Sequence, residues 1–211
     1  ESRRIRAVAE VKYRQLERSA FVIFDLDNRL DIDKVLLDGM EARFRQYDID
    51  STVEVSTTGS LSDVSALRFE YQGELEPPRR SRAPVLSNVS ADGAYLLYES
   101  KWFPTNELFK DKAGMTLKVN APAGWTVVTD LPETGATRGS STASFWGLVA
   151  AGKYTSSSSK AGANEVSVHT LKASADDAKP MTETAAKAVE FYASTFGPLV
   201  QPNIQIGRAH V

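Results

Sequence analysis

Over its first three quarters the chain alternates apolar and polar residues with a period of two. Ile5, Ala7, Ala9, Val11 and Tyr13 are separated by Arg6, Val8, Glu10 and Lys12, the pattern of a strand with one buried face. Ala20, Val22, Phe24 and Leu26 repeat it. Because Phe21 and Ile23 make the opposite face apolar as well, this second strand is expected to be covered on both sides. Leu30, Ile32 and Val35 follow a polar turn at Asp27-Asn28. Asp38-Gly39, between Leu37 and Met40, predicts a tight hairpin, since both residues tolerate the positive φ of a type I′ turn. Further strands are predicted over 52–55, 67–71, 95–98, 115–119, 125–128, 144–149 and 166–168, with turns at Pro122-Ala123-Gly124 and Pro132-Glu133-Thr134-Gly135. Short strands at roughly 10-residue spacing predict a mainly β fold, an antiparallel β-sandwich.

Two segments break the pattern. Residues 76–84 combine Pro77, Pro78 and Pro84 with Arg79, Arg80 and Arg82, which excludes a central strand and predicts an exposed loop. Ser156 to Ser159, with Lys160 to Asn164, reads as a flexible surface loop. Near residue 173 the composition changes. Residues 176–196 are rich in Ala, Lys, Glu and Thr, and Ala185, Ala188, Val189, Tyr192 and Phe196 fall on one helical face. Gly197-Pro198 supplies the stop. A single amphipathic helix after a run of strands predicts the start of a second, helical domain, because its apolar face has no partner in the residues that remain.

Composition narrows the chemistry. The 211 residues suit one large domain or two small ones, and 25 basic against 27 acidic side chains leave a net charge of −2, too weak a field to mark a nucleic-acid binder. No apolar run approaches the roughly 20 residues of a membrane-spanning helix. The absence of Cys removes disulfides, thiolate catalysis and cysteine zinc sites together. Two His, at 169 and 210, leave little for acid-base or metal chemistry. His169 is opposite in parity to Val166 and Val168, so it is expected on the solvated face of a strand in a structural role. Asp25, Asp27, Asn28, Asp31 and Asp33 fail the calcium-loop template, with Leu30 where the turn Gly belongs and Leu36 where the bidentate Glu belongs. Arg79, Arg80 and Arg82 are expected to be solvated, and Gly147 to Gly152 lacks the features of a phosphate cradle. No HExxH segment is present, so no catalytic or metal-ligating residue is assigned in this chain.

The order of several short segments carries a resemblance. Tyr95 to Pro104, with its Trp102-Phe103-Pro104, precedes Leu117 to Trp125, which ends in Pro122-Ala123-Gly124-Trp125. Upstream lie Val35 to Gly39 and Leu67 to Leu75; downstream lie Val149 to Tyr154 and Ala188 to Pro198, the last with a Phe-Tyr pair and Phe196-Gly197-Pro198. Together they resemble the N-terminal domain and first catalytic-domain helix of the aminopeptidase N-like zinc metallopeptidases, a gluzincin family. The resemblance implies residues 1–173 as an N-terminal β-sandwich domain and 174–205 as the start of a truncated metallopeptidase domain.

It implies further that the parent hydrolyses N-terminal residues from peptides, with zinc supplied by an HExxH helix beyond this chain, and that the fragment itself is inactive. The missing catalytic domain would be an intramolecular partner, the peptide the substrate. Glu99 is the candidate substrate-binding residue, holding the substrate's free amine, although the wording usual around that residue is absent here. Tyr98 and Trp102 are expected to pack. The family and the lack of Cys favour an exported or membrane-associated parent. The chain opens at Glu1 without Met, so a missing N-terminus is expected. Residues 206–211 resemble a translated DNA-library adapter and are expected to be a non-native tail. The alternative is a non-enzymatic sandwich module for binding or adhesion, or an inactive scaffold homologue. That module predicts Val189, Tyr192 and Phe196 buried, whereas a fragment leaves them partly uncovered.

Overall fold

The computed structural model describes residues 3–17, 19–58, 64–75, 85–171, 175–199 and 203–208. In chain order the strands are β1 (Arg4–Arg14), β2 (Phe21–Asp25), β3 (Leu30–Leu37), β4 (Met40–Glu41), β5 (Phe44–Tyr47), β6 (Thr52–Ser56), β7 (Val64–Glu74), β8 (Ser87–Val89) and β9 (Gly93–Leu96). There follow a 3-10 turn (Tyr98–Ser100), β10 (Ala113–Leu117), β11 (Thr126–Thr129), β12 (Glu133–Thr134), β13 (Thr137–Ser144), β14 (Val149–Gly152), β15 (Tyr154–Ala161), β16 (Asn164–Leu171), α1 (Ala175–Phe196) and β17 (Asn203–Arg208). The fold is mainly β and largely antiparallel, with one α-helix among the described residues, as the strand periodicity predicts. Two compact units are formed, one from Glu1–Ala91, Leu96–Met115 and Ser140–Gly147, the other from Asp92–Tyr95, Thr116–Gly139 and Leu148–Val211. The segment 76–84, with its three arginines, lies outside the described residues.

In the first unit a sheet ordered β1-β7-β3-β4 faces a sheet ordered β2-β6-β5. The longest pairing runs β1 against β7, from Arg4 opposite Glu74 to Arg14 opposite Val64. Alternation on β7 buries Ser65, Leu67, Phe69 and Tyr71, while Arg68 on the other face pairs with Glu10 at 2.7 Å across the strands. Phe24 of β2 meets Phe69 edge to face at 5.7 Å and Tyr13 at 6.0 Å, joining the two inner faces into one core with Val35, Val53 and Val55. The hairpin at Asp38-Gly39 forms with φ of 50° and 85°, placing Leu37 opposite Met40.

The expectation that β2 is covered on both faces is corrected. Phe21 and Ile23 are 45% and 49% exposed. They pair across the sheet with Ser56 and Glu54, so that face is polar in the neighbouring strand and only Val22 and Phe24 point inward.

In the second unit β9, β14 and β11 are neighbours in one sheet, and β15, β16 and β17 form another. Three more expectations change here. The Ser-rich stretch is strand β15, not a flexible loop: it pairs residue for residue with β16, and Ser158 Oγ and Ser167 Oγ lie 2.8 Å apart across the pair. Serine's weak strand propensity is outweighed by ladder pairing and by helix packing on its other face. The expected strand over 144–149 divides instead into β13 and β14, separated by Phe145 to Leu148, where Gly147 takes φ 144°. Residues 95–98 are strand only to Leu96, after which the chain tightens into the 3-10 turn.

Helix α1 forms where periodicity places it and ends at Gly197, whose φ is 93° and whose N–H donates to Ala193 O at 3.0 Å. Ala178, Thr182 and Ala186 are buried beneath it, and Ala185, Val189, Ile204 and Ile206 pack around a cluster of Ala161, Val166 and Ala186. After α1 the chain returns as β17, parallel to β16 in the register Val166 opposite Ile204 and Val168 opposite Ile206, so Ile206 to Arg208 lie in a strand. The apolar face of α1 is covered only in part. Val189 is half-buried, whereas Tyr192 and Phe196 continue that face beyond the sheet and are 54% and 78% exposed.

Gly73 offers the most direct test of this packing. It sits in the middle strand between Ile5 and Leu30, and an added Cβ would fall 2.1 Å from Arg29 O and 2.9 Å from Leu30 Cα. Backbone cannot yield there as a side-chain tip could. Gly73→Ala is expected to cost at least about 2–3 kcal/mol, read as a lower urea midpoint at unchanged slope.

Candidate functional site

Glu99 sits at the centre of the turn Tyr98–Ser100, and the residues around it fix that turn from both ends. Leu97 is extended at φ −92° and ψ 155°, and its N–H donates to Leu86 O at 3.0 Å. Ser100 returns its N–H and its hydroxyl to Leu97 O at 3.0 and 2.7 Å. Lys101 closes the turn in the left-handed conformation, φ 53°, with its N–H on Tyr98 O at 3.2 Å. A non-glycine residue held there is compensated by its contacts: Lys101 O accepts from Asp27 N–H at 2.9 Å, and its Nζ lies 2.8 Å from Asp25 Oδ1.

Behind the turn lies an aromatic block. Tyr98 and Trp102 are buried, as expected of packing residues. Trp102 Nε1 donates to Gly147 O at 2.8 Å, and the Tyr71 hydroxyl donates to Trp102 O at 3.1 Å. Phe103, Phe109 and Phe145 each approach the Tyr98 ring at 5.4 to 6.0 Å. Gly147 must be glycine twice over, for its φ and because a Cβ would stand 2.6 Å from the Phe103 ring.

Glu99 borders a cleft of about 190 Å³ shared with Asp27, Arg29, Val85, Leu86, Ser87 and Lys101. Its charges are nearly all committed. Asp27 accepts from Arg29 N–H and Nε, each at 2.9 Å, and from Nη2 at 2.6 Å, and that Nη2 also reaches Ser87 Oγ at 3.2 Å. The Asp27 hydrogen bonds raise the Arg29 pKa above its ordinary value, so the guanidinium stays charged. Lys101 is spent on Asp25. Glu99 alone forms no hydrogen bond or ion pair with any described residue. Among the described residues, with Asp25 counted, three carboxylates stand against two cations, and Glu99 is the carboxylate not engaged by either. Of the sequence candidates, Glu99 lies here, while Asp31 and Asp33 belong to β3 outside the cleft. The Asp27-Asn28-Arg29 turn was legible as a turn, but the 76-residue separation of Lys101 from Asp25 was not.

His169 departs from its expected surface position. It is 8% exposed in the central strand β16, with Nδ1 2.8 Å from Ser156 Oγ and Nε2 2.5 Å from Gln205 Oε1. Parity did put it opposite Val166 and Val168, but that face carries flanking strands whose polar side chains close over the ring. A nucleophilic serine needs oxyanion donors besides a base. Here the backbone between these strands is engaged in β pairing, so the trio ties β15, β16 and β17 together.

No protein-family model matches the chain, and no curated protein does. Solved structures match its fold. An M1 zinc metallopeptidase from Deinococcus radiodurans, in a mutant form bound to a Tyr-Ser-Ala substrate, superposes at TM-score 0.72 and 17% identity, covering 99% of this chain and 54% of its own. The unsubstituted enzyme from the same organism matches at 0.69 and 17%, covering 98% and 53%. A two-domain M1 zinc metallopeptidase mutant bound to L-tryptophan matches at 0.71 and 17%, covering 100% and 54%. The chain thus has the fold of the corresponding part of M1 peptidases and spans about half the length of the structures it matches.

Burial also raises the Tyr71 pKa far above the ordinary phenol value, and raises Tyr98, Tyr95, Tyr154 and Tyr13 less. A folded pKa raised above the unfolded one gives stability that is complete below about pH 10 and lost as pH rises beyond it, because the unfolded chain then releases its proton first. Stability is expected to fall above about pH 10, with a shallower fall in Tyr71→Phe. At neutral pH that substitution costs about 1–2 kcal/mol by leaving Trp102 O without its donor. Urea titrations at several pH values read both effects.

Proposed function

We propose that this chain is the N-terminal part of a zinc aminopeptidase related to the M1 enzymes, and that Glu99 holds the free amine of the peptide it trims. The observation that carries the role of Glu99 is its uncommitted carboxylate on a cleft whose other charges are paired. A primary ammonium presents three N–H donors and one positive charge, which is what such a carboxylate lacks. The fold likeness over nearly the whole chain supports the parent class.

Residues 1–173 are assigned to the N-terminal domain and 174–205 to the opening of the peptidase domain. One feature favours that division: the last turns of α1 present Tyr192 and Phe196 uncovered, although α1 packs on β15 and β16 and β17 pairs with β16 within the second unit. The remainder of a peptidase domain would cover them as the intramolecular partner.

The residues present do not fit zinc. Among the described residues no three His, Cys, Asp or Glu side chains converge as a metal site. Asp25 and Asp27 are taken by Lys101 and Arg29, and both His169 nitrogens by Ser156 and Gln205. The metal is therefore assigned to the rest of the parent. What this chain contributes is binding and orientation: Glu99 fixes one end of the substrate by its ammonium, on a turn that its flanking hydrogen bonds hold rigid.

The test is to extend the gene downstream and express the longer product. HExxH is expected in the added sequence, with bound zinc and hydrolysis of amino-acid anilides, and Glu99→Gln is expected to raise KM by about tenfold or more. A downstream sequence without HExxH, or an extended protein that holds no zinc and cleaves no anilide, rejects the proposal.

A further inference from the structure

We infer that the open edge of β2 is a docking site for a second copy of this chain: the β2 strands of two molecules pair antiparallel about Val22 and join their β2-β6-β5 sheets into one. The inference is independent of the reading of Glu99.

The existing bonds fix which backbone groups this edge presents. Thr57 N–H donates to Ala20 O and Leu26 N–H to Ser51 O, so the even-numbered residues of the stretch bond toward β6. Asp25 exchanges both its backbone bonds with Thr105 on the opposite side, at 2.7 and 3.1 Å. By alternation the N–H and C=O of Phe21 and Ile23 point the same way as those of Asp25, away from the sheet. Thr105 begins a ladder there that stops at once. The chain turns off through Asn106 and Glu107, the latter left-handed at φ 46° with its carbonyl taken by Lys110 N–H at 3.0 Å. Among the described residues the rest of the edge meets only Ser19 Oγ, which accepts from Phe21 N–H at a long 3.4 Å.

The edge also lacks the usual protection. Natural sheets blunt exposed edges with charged side chains, Pro or bulges. β1, an edge strand of the facing sheet, carries Arg4, Arg6, Lys12 and Arg14 on its exposed face. Ala20 to Phe24 holds no charge, and Phe21 and Ile23 stand about half exposed.

A second copy fits this edge by length and by side chain. With Val22 on a two-fold axis, Phe21 lies opposite the partner's Ile23 and Ile23 opposite the partner's Phe21, each pair exchanging two hydrogen bonds. The next position, opposite Asp25, is already held by Thr105, so a strand that ran on in that direction would be blocked. β2 itself is not blocked, because its chain bends at Ala20 just before the strand begins. On the exposed face the four apolar side chains meet as cross-strand Phe–Ile pairs. Asp25 is neutralised by Lys101, and Glu54, opposite Ile23 on β6, lies one strand further from the axis. Two such pairs fall short of the roughly 1,200 Å² of a stable interface, so the dimer is weak and fills at about millimolar concentration.

The experiment records amide spectra of the isotope-labelled chain from about 0.05 to 1 mM, with sedimentation velocity on the same samples. Signals of Phe21, Val22 and Ile23 are expected to move with concentration as the sedimentation coefficient rises. A mixture of labelled and unlabelled chains is expected to give a cross-peak between the Val22 Hα atoms of the two copies, whose Cα atoms would stand about 4.5 Å apart. Ile23→Lys, at an exposed side chain, should raise the dissociation constant at least about tenfold. Phe21→Pro, which removes one outward N–H at the first residue of the strand, should do the same, with signals from the β1-β7 ladder reporting that both variants are folded. Phe196→Ser should leave the dimer unchanged. A chain that stays monomeric throughout overturns the inference and leaves the edge to a strand of another protein. A dimer that Phe196→Ser dissolves and Ile23→Lys does not overturns it in favour of the helix end, and a dimer without the Val22 cross-peak overturns the pairing.

Discussion

The buried hydrogen bond from Tyr71 to Trp102 O connects the core of the first unit to its cleft. Tyr71 stands on β7, the strand paired on both sides by β1 and β3, so its position follows from the longest ladders in the molecule. Trp102 in turn hydrogen-bonds Gly147 and stacks edge-on against Phe103. A phenol in the sandwich interior therefore sets the height of the loop that begins at Lys101, and with it the turn bearing Glu99. Loops that carry function are usually anchored in this way by a rigid scaffold beneath them.

The ion pairs of the cleft act by position more than by energy. Asp27–Arg29 and Lys101–Asp25 are neither fully buried nor free, with side-chain exposures of 12% and 38% and of 26% and 14%. Pairs of this kind contribute on the order of 1 kcal/mol after desolvation and side-chain ordering are set against attraction. Their structural effect is larger. Each carboxylate also receives or adjoins backbone N–H groups, so the pairs bind the Asp27 turn, β8 and the Lys101 turn into one rim. Each cation is also engaged, and Glu99 is left without an ion-pair partner among the described residues.

Much of the fold was legible because one physical signal, apolar alternation, survives in β1, β3, β6 and β7 almost without interruption. It failed where burial comes from something other than side-chain pattern. β15 is eight residues, four of them consecutive serines, held by its partner strand and by α1, and no periodicity marks it. β17 is six residues whose pairing with β16 depends on a helix returning the chain across the sheet. Phe21 and Ile23 misled in the other direction, since apolar residues on a strand do not guarantee a layer to cover them. At the site, motif order picked out Glu99, but the reason it is available could not be read from sequence. That reason is the pairing of Asp25 with Lys101 and of Asp27 with Arg29, which exists only once β2, the Asp27 turn and the Lys101 turn are brought together.

The uncovered end of α1 has a consequence for the material itself. Tyr192 and Phe196 stack at 6.1 Å, with Phe191 beside Tyr192 at 5.6 Å, and all three rings face solvent. The chain has a net charge of only −2 and a pI near 5.8, so mutual repulsion between molecules is weakest in mildly acidic solution, while the attraction of exposed rings persists. Colloidal behaviour is thereby coupled to pH through a surface outside the cleft: attraction between these rings is opposed least near the pI and most where the chain carries the greatest net charge.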